Sequence, residues 1–278
     1  MIIQFTAHDH KYASIDQSDE KPWISATTFI SQFKQPFEMD KMAIKSSTNK
    51  KSKWYGLTPE EIKAAWKQES TRATTLGTWY HNQREADLCA LDNMERWGSV
   101  VPVVKPIEKD GIKFSPEQKL TEGIYPEHMV YLKTAGICGQ SDLVEVVNGQ
   151  LHITDYKTNK EIKTAGFKNW QGITSKMLPP VSHLDDCNLN HYALQLSLYM
   201  YIILKHNPKL VPGSLIIHHI MFEEQGKDKF GNPIPALDSN NDPIVKEVVP
   251  YNLPYLKSEI INLLKWLEVN RSKVKTHY

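Results

Sequence analysis

Asn148-Gly149 stands between two short runs, residues 143–147 and 150–154, that alternate in polarity and are rich in β-branched side chains. Asn-Gly favours a two-residue type I′ turn, because both central residues then adopt positive φ and the turn's twist matches that of the flanking strands. Such a turn fixes the register. Val147 faces Gln150, and each pair further out follows by counting. Val144, Val146, Leu151 and Ile153 then share one face, the core side of the hairpin. The same count places Asp142 opposite Asp155, with Lys157, two residues on, pointing to the same face. Like charges directly opposed in a sheet are destabilising, and buried unpaired carboxylates are strongly disfavoured. A cation is therefore expected between them. Lys157 can supply one charge and make an ordinary Asp-Asp-Lys cluster, but a hard divalent ion suits two carboxylate oxygens better. A divalent ion beside a lysine points to phosphoryl chemistry: the ion activates a water, and the lysine holds it or neutralises charge on phosphate oxygens.

Elsewhere helical periods dominate. Leu189, Tyr192, Leu196, Tyr199 and Ile203 recur at three- and four-residue steps, with Asp185, Asp186 and Asn188 as N-cap candidates and Asn207-Pro208 as a stop. Tyr199 reads as a core residue on periodicity alone, whereas Gln195 beside a buried stripe needs hydrogen-bond partners. Thr58-Pro59-Glu60-Glu61 is a capping box that opens a short helix to about residue 69. A longer helix over residues 72–95 carries His81 and Glu85, four apart and so on one face. Leu76, Tyr80 and Leu88 make that face partly apolar, so His81 reads either as a satisfied core histidine or as a ligand, and Glu85 either as its partner or as a surface acid. A small N-terminal hairpin turning at residues 16–20, a helix over 27–33, strands within 100–156 and 214–223, a polar excursion over 225–245 and a helix over 254–269 complete the expectation. His218 and His219 read as strand residues.

Three ordered motifs carry a resemblance. Gly139-x-x-Asp142 with Asp155-Tyr156-Lys157-Thr158, preceded by Gly77-Thr78-Trp79-Tyr80-His81 and followed by Gln195-Leu196-Ser197-Leu198-Tyr199, resembles the PD-(D/E)XK nuclease superfamily. The likeness is to its RecB-like and phage-exonuclease branch, which includes the mitochondrial genome maintenance exonucleases, and it runs from about Trp23 to about residue 220. The resemblance implies an α/β fold with a restriction-endonuclease-like core, a mixed central β-sheet flanked by helices, under a helical cap from the N-terminal third. It implies one nuclease domain over 1–278: hairpin and helical arch over 1–98, catalytic core over 99–223, excursion and C-terminal helix over 224–278. Asp142, Asp155, the Tyr156 carbonyl and His81 would be metal ligands, and Lys157 the catalytic lysine. Gln195 and Tyr199 would border the site. Glu122, one strand before Asp142, stands where some relatives carry an acid that touches metal-bound water. Mg²⁺ or Mn²⁺ is the implied cofactor and DNA, as single strands or ends, the implied substrate. A phage or viral role in recombination, replication or repair, with a recombination or single-strand-binding protein as partner, is implied by analogy. A structure-specific endonuclease, an RNA nuclease and a catalytically silent DNA-binding subunit are the alternatives; oligomeric state stays open.

Composition frames this reading. At 278 residues and 40% hydrophobic, the chain can bury a substantial core. No stretch reads as a signal peptide or reaches membrane-spanning length. Cys89, Cys138 and Cys187 form no paired framework, which points to a reducing, cytoplasmic setting, and they form no cluster of the kind that holds an iron-sulfur centre. The net charge of +1 announces no polyanion partner, but the lysines are unevenly placed. Residues 41–55 hold Lys41, Lys45, Lys50, Lys51 and Lys53 with no acid, followed by Trp54-Tyr55. This reads as a single-strand contact or equally as a solvated loop. A second lysine-rich stretch, Lys157 to Lys176, adds Lys160, Lys163 and Lys168 with Phe167 and Trp170. Its position straight after the central motif favours a substrate-binding role there, with Thr158 and Lys160 as its first residues.

Overall fold

The computed structural model describes residues 3–6, 11–15 and 23–274. Its strands are β1 (Ile3–Thr6), β2 (Lys11–Ser14), β3 (Ile24–Ser25), β4 (Asn93–Arg96), β5 (Ser99–Pro102), β6 (Ile107–Lys109) and β7 (Ile112–Phe114). After these come β8 (Gly123–Leu132), β9 (Ile137–Val147), β10 (Gln150–Lys157), β11 (Val211–Phe222), β12 (Glu224–Lys227), β13 (Pro233–Pro235) and β14 (Val245–Leu253). The helices are α1 (Ala26–Ser31), α2 (Met39–Thr48), α3 (Pro59–Cys89), α4 (Asn188–His206) and α5 (Lys257–Asn270).

The Asn-Gly turn forms as its chemistry dictates, with φ of 52° at Asn148 and 73° at Gly149. β9 and β10 pair antiparallel in the counted register, from Val147 opposite Gln150 to Leu143 opposite Thr154. There the ladder stops, one residue short of the two acids. β10 then runs parallel to β11, which pairs antiparallel with β14. β8 lines one edge of β9, from Gly123 opposite Val146 to Leu132 opposite Ile137. A strand has two edges, so the other edge of β9 is shared: β10 takes residues 143–147 and β3 takes Ile137 and Cys138. Between them, residues 139–142 face a gap in the mixed sheet.

Helices flank this sheet. Val144, Val146, Leu151 and Ile153 lie in the main core with Phe29, Ile30 and Phe33 on and just after α1, Leu194 and Ile203 of α4, and Ile260 and Leu263 of α5. That is the expected core side of the hairpin. The opposite face is covered too, where Leu143 and Val147 pack with Leu88 of α3 and Val101 of β5. Fully burying each such side chain contributes about 1.5–3 kcal/mol. Tyr125 and Val130 of β8 belong to the same core although five residues separate them, and so do Ile137 and Val144 of β9, seven apart. Strict alternation would send each pair to opposite faces. The slip coincides with Glu127, which takes φ of 49°. Both strands are thus kinked where the sheet opens.

Several expectations are corrected. β1 pairs antiparallel with β2, so the described N-terminal hairpin pairs residues 3–6 with 11–14, while the turn expected at 16–20 lies outside the described residues. The two helices expected over 58–69 and 72–95 are one helix of 31 residues. No proline or glycine stands at 69–72, and Arg72 Nη2 bridges to Glu69 Oε1 at 2.6 Å across the expected break. The lysine-rich stretch is helical over α2, where Ala43 is buried, before it loops. The N-cap of α4 is Cys187, because Asp185 and Asp186 are engaged elsewhere, by Lys176 and by His191. The excursion spans the expected residues, but β14, which follows it, was not expected, since it is mostly exposed along its length and carries little periodic signal.

Glu122 lies at the other end of the hairpin from the paired aspartates. Its Oε2 accepts from Asn148 N (2.8 Å) and its Oε1 from Gly149 N (2.9 Å), so it braces the turn. Glu122→Ala is expected to lower stability by about 1–2 kcal/mol, as for loss of charged acceptors at a partly solvated turn. Urea unfolding measures this; an unchanged midpoint would contradict the bracing role.

Candidate active site

Asp142 and Asp155 sit where β9 and β10 part. In place of a further rung, Asp142 Oδ2 accepts a hydrogen bond from Tyr156 N at 2.6 Å. The backbone donor holds the carboxylate at the mouth of the gap, and direct opposition of two anions is avoided. Asp155 is 2% exposed and forms an ion pair with Lys157, whose ammonium also lies 5.2 Å from the Tyr192 ring centroid. Tyr156, between them in sequence, points to the other face, against Tyr80 and Ile220.

α3 crosses that face and delivers His81. His81 Nδ1 is 3.5 Å from Asp142 Oδ1 and 3.5 Å from Glu127 Oε1, and its Nε2 lies 3.3 Å from the Tyr156 carbonyl oxygen. The motif glycine one turn earlier sets the approach: a Cβ on Gly77 would lie 3.2 Å from Thr158 Oγ1. Thr158 Oγ1 in turn donates to Ala73 O at 3.0 Å, which ties the helix to the end of β10. The hydroxyl of Thr158 is therefore spent on the scaffold. The second motif glycine works in the same way. A Cβ on Gly139 would meet the Tyr199 ring at 2.7 Å, so glycine makes room for Tyr199 in the sheet gap. Gln195 Nε2 donates to Tyr199 OH at 3.3 Å, which supplies the partner a half-buried glutamine needs. The three sequence motifs thus meet in space: Gly77–His81, Gly139–Asp142 with Asp155–Lys157, and Gln195–Tyr199.

Glu127 was not visible from sequence. It occupies the place by Asp142 that was expected for Glu122, because the kink at Glu127, in the middle of the β8–β9 pairing, turns it inward. Its Oε1 is buried and makes no hydrogen bond. Glu85 is elsewhere, held by Lys113 Nζ at 2.6 Å and 2.7 Å. Lys160 lines the cleft of about 830 Å³ that opens from His81, Tyr156 and Lys157 and runs between Lys163 and Trp66. Lys50, Lys51 and Lys53 are exposed, and Trp54 is half-buried among Trp66 (6.5 Å), Phe230 (6.3 Å) and the Lys53 ammonium (4.1 Å). Phe230 belongs to the polar excursion, which is tied to α3 again where Trp79 Nε1 donates to Asp242 Oδ1 at 2.9 Å.

Three carboxylates face one lysine and one histidine here. Burial pushes the His81 imidazolium down, but Asp142, Glu127 and Asp155 outweigh it and raise its pKa to about 9. Burial, and then Asp155, push Asp142 up to about 8. Burial opposes the charge on Lys157, yet Asp155 and Asp142 hold it firmly protonated. The cluster thus retains protons in the absence of a stronger cation. One ligand atom each from His81, Glu127 and Asp142 falls within 4.8 Å of the others. With the Tyr156 carbonyl beside them and a buried acceptor on Glu127 still unused, a divalent cation fits this donor set. The cysteines are free thiols, and Cys138 and Cys187 are buried. Among the described residues, no helix is long and apolar enough to cross a membrane.

Two outcomes are expected. Gly139→Ala should displace Tyr199 and cost about 1–3 kcal/mol by overpacking, and the Gly139→Ala/Tyr199→Phe pair should recover part of this only if the hydroxyl, 2.8 Å from the added carbon, is the clash. Second, a divalent ion must displace protons from His81 and Asp142. Mn²⁺ binding measured by calorimetry should therefore release protons and tighten as pH rises towards 8–9, by up to about tenfold per unit for each proton displaced. Glu127→Gln should weaken it. Binding independent of pH and of Glu127 would contradict this assignment.

Comparison with curated proteins and with solved structures yields no match. Residues 46–262, which include all three motifs, match the sequence pattern of the PD-(D/E)XK nuclease superfamily. The match covers most of the chain, and the chain belongs to the PD-(D/E)XK nuclease superfamily.

Proposed function

We propose that the protein is a metal-dependent DNA exonuclease that uses Mg²⁺ or Mn²⁺. The observation that carries this reading is the meeting of Asp142, Asp155 and Lys157 at the sheet gap, beside a lysine-bearing cleft. His81, Glu127, Asp142, Asp155 and the Tyr156 carbonyl would hold the cation. A cation held there would supply polarisation of the scissile phosphodiester and a lowered pKa for the attacking water.

The chain's own groups do the rest. Lys157, kept charged by Asp155, stabilises negative charge that builds on the phosphate oxygens. Tyr156 N fixes the Asp142 carboxylate, and Tyr199 with Gln195 closes the gap behind it. Lys160 along the cleft, and Lys50, Lys51 and Lys53 on the cap loop, supply contacts to backbone phosphates. Trp54 braces that loop through Trp66 and Phe230. Preference for ends rests on the resemblance of the three motifs to the phage-exonuclease branch. The buried carboxylates themselves argue against a silent binding module. Their charge is costly to keep without a cation to use it.

The test is digestion of end-labelled linear and circular DNA, single- and double-stranded, with Mg²⁺, Mn²⁺ or EDTA. Linear DNA should be degraded only with metal, and Asp155→Ala and Lys157→Ala should each lower the rate by roughly 10²–10⁴-fold. Cleavage of circular DNA would replace the end-directed reading with an endonuclease. Binding without cleavage under any metal would leave a DNA-binding subunit.

A further inference from the structure

The segment between β10 and α4 leaves the site at Thr158 and carries a feature that the reaction does not explain. From residue 162 to residue 184 it holds Lys163, Lys168 and Lys176 and no acid. Residues 167–175 fold back as a small hairpin. Ser175 N donates to Phe167 O (2.8 Å), Asn169 N to Ile173 O (3.0 Å) and Gly172 N to Asn169 O (3.0 Å). Asn169 Oδ1 accepts from Gln171 N (2.9 Å) and Ile173 N (3.0 Å), so the turn is cross-braced. Gly166 backs onto the Ser175 carbonyl so closely that any Cβ there would collide. The base is anchored to the start of α4, with Gly166 N donating to Asp185 Oδ2 (3.2 Å) and Asp186 N to Ser175 O (2.9 Å).

This braced hairpin holds large apolar groups out to solvent. Phe167 is 78% exposed, Trp170 91% and Ile173 61%. The pairing puts Phe167 and Ile173 diagonally on one face, with Trp170 at the tip and Lys168 on the other face. An ordered turn that fixes three such side chains away from the core is a contact surface awaiting an occupant. The charge pattern says which. Across the whole segment Lys160, Lys163, Lys168 and Lys176 stand against Glu161, Asp185 and Asp186. Asp185 is paired with Lys176 and Asp186 with His191, which leaves Lys163 and Lys168 as the charges nearest the hairpin. Lys160 and Lys163 line the cleft with Lys157, beside Glu161 and Glu69.

We propose that the 167–175 hairpin is a stacking platform for unpaired bases of the substrate strand outside the cleft, with Trp170 as the principal stacking surface. Lys168, Lys163 and Lys160 then track the backbone from the platform to the site. Aromatic faces take any base, so the platform confers a preference for single strands or overhangs without sequence choice. This rests on the nucleic-acid reading of the site given above.

The experiment compares the full chain with Phe167→Ser/Trp170→Ser, both positions exposed and free of core contacts. Binding of labelled oligothymidylate and of blunt duplex is followed by anisotropy in EDTA, and single-strand hydrolysis is followed with Mn²⁺. The double variant should bind oligothymidylate about tenfold or more weakly, change little towards blunt duplex, and raise KM with kcat retained. Unchanged oligothymidylate affinity and KM in a variant whose circular dichroism matches the parent overturn the platform and leave the nuclease reading standing. If sedimentation shows the parent self-associating and the variant monomeric, with oligothymidylate affinity unchanged, the tip is a contact between copies and the proposal fails. A parent that neither binds nor cuts nucleic acid overturns the nuclease reading and this proposal together.

Discussion

The parting of β9 from β10 after Leu143 and Thr154 is the constraint on which the rest depends. Continued pairing would set Asp142 and Asp155 face to face in a buried ladder, a repulsion that the single charge of Lys157 offsets only in part. Parting instead frees Tyr156 N, and Asp142 takes that donor in place of a strand partner. It also opens the edge that β3 does not reach, and Tyr199 of α4 fills it from one face while α3 brings His81 from the other. The donor set that could hold a metal is therefore a consequence of sheet topology, assembled at a place where backbone hydrogen bonding is incomplete.

The two motif glycines have a steric meaning in this frame. Neither Gly77 nor Gly139 takes a backbone conformation reserved for glycine; each marks a spot where another element comes too close for a side chain. One sets the depth of α3 on β10, the other the depth of Tyr199 in the gap. Both depths bear on where His81 and Asp142 stand, so a sequence signature that looks catalytic is partly a packing signature.

Much of the site was legible because Asn148-Gly149 permits counting. Two strands and their core face follow from one turn, and the count brings Asp142, Asp155 and Lys157 to the same end of the hairpin, although the ladder stops one residue short of the acids. Glu127 was not legible for the converse reason. β8 and β9 are joined through a 3-10 turn at Lys133–Ala135 and Gly136, which sets no countable register, and the alternation slips at Glu127 itself. Nothing local separates Glu127 from Glu122, and only the tertiary kink decides which acid turns inward. The continuity of α3 was hidden by a polar stretch at 67–72, where side-chain pairing rather than apolar period sustains the helix. α2 and β14 were missed because most of their residues face solvent.

The unbroken run of α3 has a mechanical side. At 1.5 Å per residue it is a rod about 46 Å long, tied to the end of β10 where Ala73 O accepts from Thr158 Oγ1 and where Gly77 leaves little room for a side chain. Trp66, on the cleft wall, lies about 16 Å along the rod on one side of Gly77, and His81 about 6 Å on the other. One unbroken helix therefore holds the cleft wall and the histidine at a set spacing, a coupling that two separate helices could not provide.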